Sequence, residues 1–462
     1  MNGFNPFGKE LKTLGFVDLE VLRDVTEGWY VEYKREVPNA NAIAKSISAF
    51  ANTYGGWLFY GIAEKSKEEP VAGAFPGIAR SEVDAALQRV RQAVASHVNP
   101  TPHFDSHIVW GDAQNELLGP EQGILCIQVP WSPNAPHVHK SGNIYRRVAD
   151  GSEPRAENDR QVLHQLFHRA DDLRASYREW INRDPEFSKA EGKVPYVRIL
   201  LTADLWDDRN AFLDASIDEI REIMGQTSSV LTAVPFDNVF SSPNGFVARQ
   251  AKHNDPHRLG LTWRMSRFLT GDIIIPLNFH TPGSPWGLNE ALDGYEQADR
   301  FIRLLDARGY STIRVVDLTV LLVVIVGLVE ALNKLLARAG WKDGFYVKAR
   351  ILNGWRTTPF LDVPSVIEMF ETHGVPMCLN ETVTSFPGDD PESFSRVDRF
   401  ENVDDAARFV LQALCIFDPV ALAFGLPSPL ESASSGTNNH QELLAAGRRA
   451  ADLFKGRVTQ GN

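Results

Sequence analysis

Two glutamates and a lysine lie close together near the start of the chain, and their types and spacing suit phosphodiester chemistry. Glu27 is followed by Glu32 and then by Lys34, in the string EGWYVEYK. The run 31–34 predicts a strand, and side chains alternate along a strand, so Glu32 and Lys34 share one face. A carboxylate there can bind a divalent cation, and an ammonium can neutralise charge developing on a phosphate. Glu27 lies five residues before Glu32, so on a regular strand its side chain would point to the opposite face. It joins this site only if the chain bends at Gly28.

The alternative for these residues is an ordinary surface strand that carries an ion pair. An isolated Glu-x-Lys triplet is common in proteins, so the triplet alone favours that structural interpretation. The segments that follow in the sequence decide between the two.

A predicted helix and a glycine turn come next, in the string ISAFANTYGG. Apolar residues at helical spacing predict a helix over 42–52, and Asn41 is placed to act as its N-cap. The glycine pair at 55 and 56 allows positive φ, which makes a tight turn after the helix. We therefore expect the following strand to pack against this helix.

A third carboxylate follows that strand. The aromatic-rich run 57–62 predicts the strand, and Glu64 comes just after it. If this strand is a neighbour of 31–34, Glu64 can face Glu32. The three acids would then lie on adjacent strands beside Lys34.

These motifs resemble the Schlafen AlbA-like domain. The matching text is EGWYVEYK, then SAFANTYGGWLFYGIAE, then PWSPNAPHVHKSGNIYRR, in the order that the family has. The resemblance covers about the first 150–170 residues and implies a mixed α/β fold. By analogy with the animal members of the family, it also implies an endoribonuclease that acts on transfer and ribosomal RNA through three acids with Mg²⁺ or Mn²⁺. By position, the metal ligands would be Glu27, Glu32 and Glu64. Lys34, which shares a strand face with Glu32, is the further candidate catalytic residue.

The sequence departs from the family pattern in three respects. Glu64 stands where the family usually has Asp, so the third ligand would be one methylene longer. One AlbA-like lobe is found instead of the pair seen in the animal proteins, and a homodimer would supply the second. The inter-lobe zinc site is missing, because Cys126 has no potential ligand near it in sequence. Many bacterial and archaeal relatives are described only as DNA-binding or ATP-binding.

Basic residues around these motifs are candidates for contacts with nucleic acid. Arg146 and Arg147 follow Tyr145 on a predicted strand and point to opposite faces, so one of them can bind a phosphate. The alternative is an arginine that covers the sheet edge. Lys65 lies beside Glu64 and is the third candidate, although a solvated surface position is the simpler interpretation.

Aromatic and histidine side chains near the motifs have mainly structural interpretations. Aromatic rings can stack on unpaired bases, but in strands they more often form core. The aromatic residues in question are Trp29, Tyr30, Tyr54, Trp57 and Tyr60. His137 and His139 form a His-x-His pair without a third ligand nearby, which favours a structural role over metal binding.

Composition limits the possible partners and the compartment. The net charge is −12. Residues 1–170 hold 17 Lys and Arg against 20 Asp and Glu, a net of −3, and the remainder has 30 against 39, a net of −9. Nucleic-acid binders are usually basic, so this balance argues against tight non-specific binding to duplex DNA but leaves room for a local basic groove. Three cysteines far apart in sequence predict neither a disulfide framework nor a local zinc site, which fits the cytoplasm.

The sequence predicts an α/β (α+β) protein with several folded segments. Residues 1–173 form the AlbA-like domain, 174–194 a linker, and 195–426 a larger mixed α/β domain, for which partner or ligand sensing is the hypothesis. A flexible linker at 427–441 and a helix with a tail at 442–462 follow. The apolar run 318–329 is shorter than the roughly 20 residues that cross a bilayer, so we expect a buried helix and no membrane partner.

Three functions are compatible with the sequence. The first is a metal-dependent endoribonuclease for structured RNA, with transfer RNA among the substrates, acting as a defence or stress effector. The second is a non-catalytic nucleic-acid-binding or regulatory module. The third is a nucleotide (ATP)-binding sensor, which the absence of a GxxxxGK[ST] loop disfavours.

Overall fold

The structure is a computed structural model that describes residues 4–9, 11–112, 117–148, 151–205, 212–225, 236–250, 259–311, 313–428 and 439–460. The chain divides into two compact units, Met1–Tyr177 and Arg178–Asn462. The boundary falls within the segment 174–194 that the sequence predicts as a linker. Most of the other predicted linker, 427–441, lies outside the described residues. Helices and mixed sheets occur in both units, and the predicted α/β class is confirmed.

The first unit begins with two short 3₁₀ helices, Leu11–Thr13 and Phe16–Asp24. Its strands are β1 (Val31–Lys34), β2 (Gly56–Tyr60), β3 (Ala63–Glu64), β4 (Ala72–Ala74), β5 (Ile78–Ala79), β6 (Val98–Asn99), β7 (Asp105–Trp110), β8 (Gln122–Val129), β9 (Val138–His139), β10 (Tyr145–Val148) and β11 (Gly151–Ala156). Its helices are α1 (Ala40–Asn52), α2 (Arg80–His97) and α3 (Arg160–Asn182), the last of which includes the boundary between the units.

A five-stranded sheet forms the centre of the first unit. Its order is β1-β2-β8-β5, with β7 also paired to β8, and β1 is parallel to β2 whereas the other pairs are antiparallel. Both faces are covered, because Trp57 and Phe59 pack with the N-terminal 3₁₀ helices while Leu58 and Tyr60 pack beneath α1 and α2. The strand β2 is therefore apolar throughout, as expected for a strand buried on both faces.

Helix α1 begins two residues earlier than the sequence predicts. Its N-cap is Asn39, whose side chain accepts a hydrogen bond from the Ala42 amide, so the predicted cap Asn41 is wrong. Asn39 has extended backbone geometry outside the helix, which an N-cap needs, whereas Asn41 already lies in the first turn. The helix buries its apolar face against the sheet.

The strands of the second unit are β12 (Tyr196–Thr202), β13 (Asn238–Ser242), β14 (Gly245–Arg249), β15 (Thr262–Ser266), β16 (Thr270–Pro276), β17 (Phe279–His280), β18 (Arg314–Asp317), β19 (Phe345–Leu352), β20 (Thr357–Phe360), β21 (Thr382–Thr384) and β22 (Ser395–Val397). Its helices are α4 (Ile217–Gly225), α5 (Ala298–Ala307), α6 (Leu318–Arg338), α7 (Pro364–His373), α8 (Asp405–Ala423) and α9 (Asn439–Gln460), with short 3₁₀ turns at Glu191–Lys193, Pro285–Leu288 and Pro391–Ser393.

An eight-stranded sheet organises this unit, in the order β13-β14-β15-β16-β12-β19-β21, with β22 also paired to β19. A smaller sheet has the order β17-β18-β20. The sequence of 289–305 predicts a helix, and this prediction is wrong in its first half, because Gly294 adopts a positive φ of 88° and the regular helix starts only at Ala298. The C-terminal helix α9 contributes Leu443 and Ala446 to the core of this unit.

Two helices of the second unit, α6 and α8, are long and apolar enough to cross a membrane by length and composition. The predicted burial of the run 318–329 is confirmed, since nearly all of its side chains lie in the core of the unit. The side chain of Asp317 caps α6 by accepting hydrogen bonds from Thr319 and Val320 amides.

Candidate active site

Strand β1 places its side chains alternately in the core and towards α1. Val31 and Tyr33 pack with the N-terminal 3₁₀ helices. Glu32 and Lys34 therefore point to the opposite face, as alternation along a strand requires. Together with Glu27 they form the group called here the Glu27–Glu32–Lys34 cluster.

Glu32 is buried, with 2% of its side chain exposed, and both of its carboxylate oxygens have partners. Oε1 accepts a hydrogen bond of 2.9 Å from Ser46 Oγ on α1 and lies 3.2 Å from Lys34 Nζ. Oε2 accepts a hydrogen bond of 2.8 Å from Arg147 Nη1 on β10. Glu32 thus connects the strand to a helix and to a more distant strand, and two cations balance its charge.

Glu27 joins the cluster because the chain bends between it and β1. The Gly28 amide donates to the Val31 carbonyl within this bend, at 3.0 Å. Glu27 Oε1 accepts a hydrogen bond of 2.8 Å from the Tyr33 amide and lies 3.5 Å from Lys34 Nζ. Its second oxygen, Oε2, is buried and has no hydrogen-bond partner among the described residues.

The environment of Glu27 disfavours its charged form. Burial raises the pKa of Glu27 to about 7. Lys34 and the Tyr33 amide oppose this rise, and the nearby Glu32 and Glu64 carboxylates add to it. Glu27 can consequently exist in both the protonated and the ionised form near neutral pH.

Lys34 is the member of the cluster that solvent reaches. Its side chain is 34% exposed, whereas those of Glu27 and Glu32 are 0% and 2% exposed. Burial lowers the pKa of Lys34, but the Glu32 and Glu27 carboxylates raise it more, so the pKa lies above its ordinary value. A charged side chain that solvent partly reaches therefore lies beside two buried carboxylates.

Arg147 is one of the two arginines of which one was predicted to reach a phosphate. Its side chain has no exposed surface in this structure. The guanidinium donates to the Gly28 carbonyl at 2.8 Å and 2.5 Å and to Glu32, and it stacks over the Phe50 ring at 4.8 Å. Arg147 instead holds the bend beside Glu27 against the strand that carries Glu32.

The segment SAFANTYGG positions Arg147. The Asn52 side chain donates to the His137 and Tyr145 carbonyls and accepts from the His137 amide, which fixes the end of α1 against the chain leading into β10. The Thr53 hydroxyl accepts from the Arg147 amide at 2.9 Å. Gly55 has φ of +72°, and a Cβ there would lie 2.7 Å from the Trp131 amide and the Val129 carbonyl. Larger residues are thus excluded at this turn.

The remaining predicted residues lie around the cluster without entering it. Glu64 is half-buried on the separate short strand β3, close enough to Glu27 to raise its pKa. Lys65 forms an exposed ion pair with Glu69 at 2.6 Å. Arg146 points away from Arg147, as predicted for neighbours on a strand, and pairs with Glu157 at 2.7 Å.

The three acids implied as metal ligands do not form a metal site in this arrangement. Within the described ranges, no group of three or more His, Cys, Asp or Glu side chains is placed to hold a metal ion. The Lys34 ammonium already lies between the Glu27 and Glu32 carboxylates, and Arg147 holds the other Glu32 oxygen. These side chains therefore do not fit a three-carboxylate Mg²⁺ or Mn²⁺ centre as they stand.

Sequence reasoning missed Ser46. It lies on the buried face of α1, three residues after Ile43 and four before Phe50, where apolar residues are expected. A polar residue within an apolar stripe signals a buried polar partner, which here is Glu32. His137 has the structural role that was favoured, because its ring contacts the Pro100 carbonyl and the Ser132 hydroxyl, both at 2.7 Å.

The family model for the Schlafen AlbA_2 domain matches residues 27–157. The chain is an AlbA_2 domain protein. The matched AlbA_2 segment begins at Glu27 and includes the whole Glu27–Glu32–Lys34 cluster, with Arg147 and the segment that positions it.

No curated protein matches the chain. Among solved structures, the crystal structure of the DIP2311 protein from Corynebacterium diphtheriae is similar to part of it, at 19% identity and a TM-score of 0.19. The similarity covers 42% of this chain and 29% of that protein, so the chain spans less than a third of that protein's length.

Proposed function

We propose that the AlbA_2 domain is an endoribonuclease that cleaves structured RNA, transfer RNA included, at the Glu27–Glu32–Lys34 cluster. The observation that supports this proposal most directly is the position of Lys34. Its side chain is 34% exposed, and its ammonium lies 3.2 Å from Glu32 and 3.5 Å from Glu27. Two buried carboxylates thus orient one surface cation, which is an arrangement suited to binding a phosphodiester.

Lys34 supplies the charge that this chemistry needs. In cleavage of RNA, the neighbouring ribose 2′-hydroxyl loses its proton and bonds to phosphorus while the bond to the leaving 5′-oxygen breaks, and that oxygen takes up a proton. Negative charge develops on the non-bridging and leaving oxygens, and a fixed ammonium stabilises it. Surface lysines are usually mobile, but Lys34 also donates to the Tyr33 carbonyl at 3.1 Å, which limits its freedom. A pre-oriented cation loses less entropy when it binds the transition state.

Glu27 is the candidate for proton transfer within the cluster. Its pKa of about 7 is close to the value at which a general acid or base works best at neutral pH. When the Lys34 ammonium turns towards a phosphate, Glu27 remains beside Glu32 with less compensating charge, and this favours uptake of a proton by Glu27. Binding of RNA and protonation of Glu27 are therefore coupled in this proposal.

A non-catalytic nucleic-acid-binding module is the second candidate. The observation that favours it is the burial of both carboxylates, since the Glu27 and Glu32 side chains are 0% and 2% exposed. In that case the ion network only stabilises the bend before β1, and Lys34 contacts phosphate without chemistry.

The experiment is a cleavage assay with the purified full-length chain and a folded transfer-RNA transcript. We expect discrete internal cuts by the wild type and a loss of about a hundredfold in rate for Lys34→Gln. Lys9→Gln is the matched control, because Lys9 also pairs with an acid, Asp18, but lies outside the cluster. The fold of Lys34→Gln should persist, since Glu27 can bind a proton in place of the lost charge.

The same assay tests the Mg²⁺ or Mn²⁺ requirement that the Schlafen resemblance implies. Cleavage is measured with each ion and with EDTA, and loss of cleavage in EDTA would mean that the cluster rearranges around a metal. Absence of cutting under every condition, together with salt-dependent RNA binding, would support the binding module instead. Equal cutting by the wild type and Lys34→Gln would remove the cluster from the reaction.

A further inference from the structure

The aromatic residues near the cluster divide into core and surface groups. Trp57 and Tyr60 are fully buried in the sheet. Tyr54, at the turn between α1 and β2, is 46% exposed. Its ring centroid lies 5.6 Å from that of Trp29 and 6.2 Å from that of Tyr30, and both of these rings are partly exposed. A small aromatic surface thus adjoins the bend that carries Glu27.

An arginine and a second tryptophan extend this surface. The Arg169 guanidinium lies over the Trp131 ring at 4.9 Å and donates to the Ser132 and Asn52 carbonyls. It is also close enough to Tyr54 for the two groups to interact electrostatically. Burial lowers the pKa of Arg169 to about 10, so it remains charged at neutral pH. In the described part of the chain, no carboxylate pairs with it.

The turn geometry forces Tyr54 outwards. Thr53, the residue before it, is buried, and its hydroxyl donates to the Ala49 carbonyl and accepts from the Arg147 amide. Gly55 after it is packed against the Trp131 backbone, where a Cβ would clash. The ring therefore stays at the surface, next to the Arg169 charge, which no carboxylate among the described residues neutralises. Both features suit a nucleotide better than an apolar protein partner.

We propose that Trp29, Tyr54 and Trp131, together with Arg169, form a stacking site for unpaired bases of RNA. The inference deepens the proposed function and rests on it, because it specifies a single-stranded segment as the part of the substrate that is held. The aromatic rings stack on bases of any type, and Arg169 adds attraction to the base faces and the phosphates. Arg147 links this surface to the cluster, since it contacts Gly28, next to Trp29, as well as Glu32.

The experiment measures binding of a fluorescein-labelled oligouridine by anisotropy, in a Lys34→Gln background so that the probe is not consumed. Tyr54→Ala should weaken binding about tenfold, and Trp131→Ala by a similar factor. Tyr54→Phe keeps the ring and should bind as the parent does. Trp355→Ala is the control, because Trp355 is 43% exposed beside Arg356 in the second unit and lies outside the proposed site. The affinity for a fully paired RNA duplex should be the same in all of these variants.

Several results would overturn the stacking site. These are no binding of oligouridine by the parent, unchanged affinity in Tyr54→Ala, and equal losses for duplex and single strand. If Tyr54→Ala does not fold, the affinity for oligouridine is compared between Tyr54→Leu and Tyr54→Phe. Both variants keep a bulky side chain, but only Tyr54→Phe keeps an aromatic ring. If the wild type cuts no RNA but oligouridine binding still depends on Tyr54, the stacking site stands and the nuclease proposal fails.

Discussion

Replacement of Arg147 should strongly destabilise the AlbA_2 domain, because its buried guanidinium joins Glu32 to the bend at Gly28. Arg147→Met keeps most of the length of the side chain and removes its charge and donors. The guanidinium then no longer contacts Glu32 Oε2 at 2.8 Å or the Gly28 carbonyl at 2.8 Å and 2.5 Å. Removing one partner of a buried ion pair costs about 3–5 kcal/mol, because the other charge stays buried without compensation.

The structure narrows this estimate. Glu32 keeps its contacts with Lys34 at 3.2 Å and with Ser46 at 2.9 Å, which lowers the cost of losing Arg147. The part-buried Gly28 carbonyl loses a charged donor, which adds roughly 1 kcal/mol. We therefore expect a loss of about 3–4 kcal/mol in the free energy of unfolding, a large part of the 5–15 kcal/mol typical of a domain.

Hydrogen exchange of peptides from β1 and β2 is the suitable assay, because the chain has two units and a whole-chain signal would mix them. Arg146→Met is the matched control on the adjacent residue. Its pair with Glu157 is partly exposed, at 21% and 17%, so its loss should cost less than about 1 kcal/mol. If Arg147→Met costs no more than Arg146→Met, the positioning role assigned to Arg147 is refuted.

Two further predictions concern the same domain. The pKa of Glu27 is raised from 4.5 to about 7 in the folded state, so its contribution to stability is complete below about pH 4.5 and is lost as the pH rises through about 7. Glu27→Gln should remove this decline and be more stable than the wild type above pH 7, by up to roughly 3 kcal/mol. Urea unfolding followed by hydrogen exchange of β1 and β2 peptides at several pH values checks it, and a pH-independent difference would contradict it. Gly55→Ala places a Cβ 2.7 Å from two backbone atoms at a φ of +72°, and it should cost more than about 2 kcal/mol or prevent folding. A soluble Gly55→Ala variant with wild-type thermal stability would show that the turn adapts.

Local patterns were sufficient to predict much of the first unit. Short patterns of neighbouring residues predicted strands β1 and β2. Alternation along β1 also predicted that Glu32 and Lys34 share one face. The bend at Gly28 was a condition for including Glu27, and the structure contains it. The order of the motifs identified the domain, which the match over 27–157 supports.

Contacts distant in sequence account for what could not be predicted. Arg147 and Glu32 are 115 residues apart, so the sequence could state that one of two arginines faces inwards but not which partner it meets. Glu64 was expected at the end of β2, but the chain leaves that strand at Gly61, which has φ of +99°. In the second unit, no motif indicated a function, and the interruption at Gly294 was not recognised because a glycine within a helical pattern is often tolerated.

The most direct test of the proposed reaction centre compares two quantities for Lys34→Gln and the wild type on one folded RNA, under single-turnover conditions. These are the rate constant of cleavage and the dissociation constant. Lys34 is proposed to act mainly on the transition state, so the rate should fall about a hundredfold while the dissociation constant changes only a few-fold. Equal rates for the two proteins, or a loss in rate that is fully matched by a loss in affinity, would contradict a catalytic role for the Glu27–Glu32–Lys34 cluster.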